Sequence, residues 1–174
     1  MIRDGDAMIM RVEFYKGGEG RLCGWVATPP KRRAFQGSTM AAGRDVPHDL
    51  TQFVIERALE VRDGFWALLA HGGSFASVPG RRATQPGRAL VRAHHAALVA
   101  VEGVVNGHYL AWQRGEVTPL RPALDTMLAR WRALAEGERL VLEWPVRPLP
   151  GATVPGTVRR ASRRRDPRVR RRTA

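Results

Sequence analysis

The sequence predicts an α+β domain: a small antiparallel sheet, made of an N-terminal hairpin plus a C-terminal strand, packed on three helices and followed by a disordered basic tail. Three observations predict it. Residues 8–28 alternate side chains about a glycine-rich turn. Residues 49–134 repeat apolar positions at helical spacing. Residues 139–144, RLVLEW, return to strand alternation.

Met8, Met10, Val12 and Phe14 alternate with Ile9, Arg11, Glu13 and Tyr15, the period of a strand. Lys16-Gly17-Gly18-Glu19-Gly20 is a turn, and Arg21–Thr28 reads as the second strand of a hairpin. Residues 1–7 add nothing to the first strand; they are expected to be disordered or to precede a true start at Met8 or Met10. Pro29-Pro30 ends the hairpin, and Lys31–Arg44 is expected to be a loop.

The first helix is predicted from Asp49, read as an N-cap with Gln52 completing a capping box. Leu50, Val54, Ala58, Val61, Phe65 and Leu68 form its apolar stripe, widened by Phe53, Trp66 and Leu69, up to a stop at His71-Gly72-Gly73. Pro86 suits the first turn of a second helix, with a bend expected near Asn106 because Gly103 and Gly107 weaken it. Thr118-Pro119 or Arg121-Pro122 opens a third helix, whose Leu124, Met127, Leu128, Trp131 and Leu134 face the core and whose C-cap is Gly137. The domain is expected to span residues 1–146. The tail, 147–174, has too little apolar area to order itself.

At 174 residues, 44% of them hydrophobic, the chain has the length for one domain. No apolar run approaches the ~20 residues of a membrane helix, so no membrane role is expected. A single cysteine, Cys23, excludes an internal disulfide, and the absence of a signal-peptide pattern fits a reducing cytoplasm. Cys23 itself reads as a small buried hydrophobe. The net charge is +13, but residues 147–174 hold ten arginines and one acid, leaving only +4 for residues 1–146. With two lysines against 27 arginines, codon bias explains part of that excess.

His48, Gln52, Glu56 and Glu60 recur every four residues and form a polar stripe beside the apolar one. Two readings compete. In one, Glu56 and Glu60 are a solvated face and His48 packs at the start of the helix. In the other, His48, Gln52 and Glu56 form a candidate metal or small-ligand site, or an acid–base pair. Arg81, Arg82 and Arg88 surround the start of the second helix and are candidate anion-binding residues, although GRRATQPG lacks the P-loop pattern. His94 and His108 lie roughly 21 Å apart along one helix, too far to share an ion, and His94 and His95 point in different directions. His71 is left open as a partner of His48.

Pro47–Glu56, PHDLTQFVIE, resembles the helix start of a family of bacterial proteins, mostly actinobacterial, in which P-H-D-L is followed by a polar residue, His or Gln, Phe, an apolar pair and Glu. The resemblance implies a similar N-terminal hairpin and carries no established activity. The His-Asp-x-x-Gln core is also similar to a zinc-binding His-Asp-x-x-His motif in a scaffold protein of ubiquinone biosynthesis, but Gln52 is a poor zinc ligand. The expected function is therefore a small binding or interaction module. The alternatives are a metal- or ligand-binding protein or enzyme with its site at the first helix, and a nucleic-acid accessory protein acting through the arginine-rich tail.

Overall fold

A computed structural model describes residues 8–17, 22–40, 46–76, 78 and 84–151. The hairpin forms as the alternation requires: β1 (Ile9–Gly17) pairs antiparallel with β2 (Leu22–Thr28). A third strand, β3 (Phe35–Met40), follows and pairs with β2. This corrects the middle of the loop expected over Lys31–Arg44; residues 31–34 are irregular as expected, and residues 41–44 lie outside the described residues. The segment FQGSTM lacks alternation and is held by its partner: Trp25 lies over Gly37 directly opposite, where a Cβ would come within 2.1 Å of the indole. Tyr15 covers Gly24 across β1 and β2 in the same way. Aromatic rings thus fill the gaps that strand glycines leave.

The expected first helix is two helices, α1 (His48–Ala58) and α2 (Phe65–Ala70). The apolar period runs through both, but Glu60 adopts φ +53° and Gly64 is extended, so the chain turns a corner between them. The expected second helix is also two, α3 (Gln85–Ala93) and α4 (His95–Gln113). The break falls at His94, not near Asn106; Gly103 and Gly107 sit inside continuous α4. Pro86 does lie in the first turn of α3, and Arg121-Pro122 does open α5 (Arg121–Ala133). Leu134 rather than Gly137 ends α5. β4 (Leu140–Pro145) then pairs antiparallel with β1, giving a four-stranded sheet in the order β3-β2-β1-β4. The fold is α+β, as predicted.

One sheet face supplies the core: Met10, Val12 and Phe14, then Cys23, Trp25 and Ala27, then Leu140, Leu142 and Trp144, all buried. Trp66 of α2 sits among them, its ring 5.1–5.6 Å from those of Trp25, Phe53 and Phe14. Trp131 of α5 joins this cluster, as its stripe predicted. On the other side of α1, Val54 and Ile55 pack with Val105, Leu120 and Leu124 of the later helices and the turn before α5. Helix α1 is therefore covered on two sides, and every residue from Leu50 to Glu56 is buried.

Packing reaches past Pro145. The Val146 N–H donates to Met8 O, and Leu149 is buried against the core. Residues 147–149 belong with the domain rather than with the expected tail. Residues 152–174, which hold nine of the ten arginines, lie outside the described residues.

Candidate functional site

The predicted polar stripe is split by the corner after α1. Its middle two members go inside: Gln52 is 3% exposed and Glu56 is fully buried. Glu56 is therefore not the solvated residue that one reading expected. The reason is the double covering of α1, which leaves a polar side chain no solvated direction between the sheet and α4. Glu60 is exposed, lies beyond the helix and pairs with Arg147 at 2.8 Å.

Glu56 spends its hydrogen-bonding capacity on structure. Its Oε1 accepts from Gln52 Nε2 at 2.8 Å and from the Phe65 N–H at 3.1 Å; its Oε2 accepts from the Trp66 N–H at 3.2 Å. Two otherwise orphaned donors at the start of α2 are satisfied this way. Gly64 makes room: a Cβ there would come within 2.5 Å of Oε2. Burial pushes the Glu56 carboxyl up to about 7, against the pull of these donors. Gln52 Nε2 donates a second bond, 2.7 Å, to Glu102 Oε1 of α4. Glu102 escaped the sequence reading; the signal was its position as the only charged side chain in the 19 residues of α4.

Asp49 does not cap α1. Pro47 occupies the N-cap position, and Asp49, within the first turn, accepts the Trp25 indole N–H at 2.7 Å. His48 is half-buried; its Nδ1 lies 3.6 Å from Asp49 Oδ1, and that carboxylate raises the imidazole above its ordinary pKa while burial opposes the shift. The structure thus gathers His48, Asp49, Gln52, Glu56 and Glu102 along one helix flank, but as a structural network. No group of three or more His, Cys, Asp or Glu side chains among the described residues is placed to hold a metal.

The other candidates lie apart. Arg81 and Arg82 fall outside the described residues; Arg88 is exposed on α3, and Thr84 Oγ1 caps that helix by accepting the Gly87 N–H at 3.1 Å. His71 Nε2 donates to Arg147 O at 2.8 Å rather than meeting His48. His94 and His108 are half-buried and His95 is exposed. Cys23 is buried in β2, and its thiol is pushed up to about 12 by burial and the nearby Asp49 charge, which makes it inert.

Two surface features carry more. An open groove of about 590 Å³ runs between α1, α5 and β4. Phe53, Val54, Met127 and Leu142 supply its apolar lining, and Arg57 and Arg130 stand on its opposite helices. The second feature is the outward face of α4. Ala96, Val99, Ala100, Gly103, Val104, Gly107 and Leu110 are exposed there, and the helix contains no lysine or arginine.

No family model matches the chain, and no curated protein or solved structure matches it. No helix among the described residues is long and apolar enough to cross a membrane.

Proposed function

We propose that the chain is a small interaction module that pairs with a second copy of itself along α4. The observation that carries this reading is an uncharged exposed face on a 19-residue helix, in a protein where 26% of residues are charged. The neighbouring helices place Arg88, Arg92, Asp125, Arg130 and Arg132 on their exposed faces. On α4 the one charge, Glu102, turns inward to Gln52. Val99, Val104 and Leu110 each remain 49–56% exposed. Gly103 and Gly107 have open space above them, so each carries the helix cost of glycine, ~1 kcal/mol, without any packing gain inside one copy.

The face is also self-complementary. In an antiparallel pair with its twofold axis at Gly103, Val99 falls at the level of Gly107 of the second copy, and Leu110 at the level of Ala96. Bulky and small residues then oppose each other in both halves, as an isologous contact requires. The uncharged face adds no repulsion to that between two chains of +13.

The test is sedimentation equilibrium of the full chain and of Gly103→Leu. A dimer is expected for the parent. The variant, whose side chain enters open space and improves helix propensity, is expected to stay monomeric with an undiminished Tm. A parent that is monomeric throughout the accessible concentration range overturns the proposal.

A second reading concerns residues 152–174, where nine arginines stand against one aspartate. That charge supports sequence-independent contact with nucleic acid or another polyanion. Fluorescence anisotropy with a 20-nucleotide DNA is expected to show binding that falls steeply with salt and is lost from a chain ending at Gly151. Equal binding by the shortened chain overturns it.

A further inference from the structure

We infer that the groove between α1, α5 and β4 is a binding site for an amphipathic carboxylate, a small acid with an alkyl or aryl body. Its volume, about 590 Å³, lies in the range of small-molecule sites. The floor is apolar: Phe53, Val54 and Leu142 are buried and Met127 is half-buried. Thr126 turns its hydroxyl away, donating to Pro122 O at 2.8 Å. That leaves Arg57 and Arg130 as the polar groups available to a ligand.

What sets these two arginines apart is their shared place on the groove; like Arg88 and Arg92, they differ from the arginines that stand beside acids. Arg11 and Arg139 meet Glu13, Arg114 meets Glu116, Arg121 meets Asp125 and Arg147 meets Glu60. Among the described residues neither Arg57 nor Arg130 has a carboxylate partner. Arg57 donates one guanidinium N–H to Glu143 O, which fixes its head at the groove and leaves its remaining donors unused. Two guanidinium groups without counter-charges, on facing helices over an apolar floor, select an anion joined to a hydrophobic body. A planar fork pairs with a carboxylate through two parallel bonds. The chain's own C-terminal segment is the wrong occupant: residues 152–174 hold no aromatic residue and no leucine, and their nine arginines are repelled by Arg57 and Arg130.

The experiment is calorimetric titration of the full chain with decanoate below its micelle concentration, beside decanol, decyl phosphate and inorganic phosphate. Decanoate is expected to bind one site per chain, at least about tenfold tighter than decanol, a difference of about 1.4 kcal/mol. Inorganic phosphate alone is expected not to bind there. Tighter binding of decyl phosphate than of decanoate overturns the choice of carboxylate. Arg130→Ala, at an exposed position, is expected to weaken decanoate about tenfold with Tm unchanged. Ala123→Trp fills the groove from its exposed wall and is expected to abolish binding with the fold intact by circular dichroism. Equal affinity for decanoate and decanol, an unaffected Arg130→Ala, or no binding by the parent overturns the inference.

Discussion

Trp66 donates its backbone N–H to the carboxylate of Glu56, 3.2 Å away, so α1 caps α2 across the corner that separates them. A buried acid performs the capping that a serine or aspartate at the N-cap usually performs. The arrangement is strongly polarised: donors from Phe65, Trp66 and Gln52 favour the charged form, and complete burial opposes it. Burial wins, and that makes the corner sensitive to pH.

Stability is expected to fall as pH rises from 5 to 8. The folded carboxyl holds its proton to about pH 7, while the unfolded one releases it near its ordinary value of 4.5. The stabilisation is therefore fully present below the unfolded value and is lost as pH climbs through the folded one, a change of roughly 3 kcal/mol. His48, raised from 6.5, adds to the loss above neutrality with the same sign. Urea denaturation at several pH values measures the slope. Glu56→Gln is expected to flatten it, and an unchanged slope in that variant would assign the titration to another group.

Gly64→Ala is expected to destabilise the protein by about 1–3 kcal/mol, because the new methyl drives the Glu56 carboxylate from the α2 donors. The effect is expected to shrink in a Glu56→Ala background, where nothing remains to be displaced. A double-mutant cycle reads the difference, and strict additivity would refute the contact.

Asp49→Ala is expected to cost about 1–3 kcal/mol, through a Trp25 indole N–H left without its acceptor rather than through a lost helix cap. The two causes separate by helix content and fluorescence. A lost bond to Trp25 changes the tryptophan emission while the helical circular dichroism of the folded state stays constant. A frayed α1 with unaltered emission would favour the cap instead.

A chain ending at Pro145 is expected to melt more than about 5 °C below one ending at Gly151, on the order of 1.5 kcal/mol for a domain of this size. The shorter chain lacks the burial of Leu149, the His71 bond to Arg147 O and the Arg147–Glu60 pair. Equal melting temperatures would place residues 147–149 outside the cooperative unit.

The sequence made the strands β1, β2 and β4 legible because each has one buried face, and period-two alternation records that directly. Trp131 was legible for the same kind of reason, since α5 turns one stripe inward. Strand β3 was not, because it is held by Trp25 on the neighbouring strand and its own residues carry little pattern. Glu56 was misjudged by one reading because helical periodicity assumes one wet side. Helix α1 has packed neighbours on both flanks, and only the partners Gln52, Glu102 and Trp66 reveal where a carboxylate can hide. The groove depends on α1 and α5 meeting across 70 residues, which no local spacing encodes. Arg57 and Arg130 are therefore two arginines among 27 in the sequence, and only the fold sets them on one groove.

The placement of β1 between β2 and β4 has a kinetic consequence. Ile9 pairs with Pro145, so the sheet joins residues 136 positions apart in the chain. During synthesis β1 and β2 can form their hairpin early, yet the other edge of β1 stays open until β4 has left the ribosome. Phe53 likewise waits for Trp144, the ring it will touch at 5.4 Å. Contacts of such long range slow folding, and an open hydrogen-bonding edge invites wrong pairing while it lasts. A nascent chain halted before residue 140 is thus expected to be a ready client for chaperones, and release of the last strand is the step that ends its exposure.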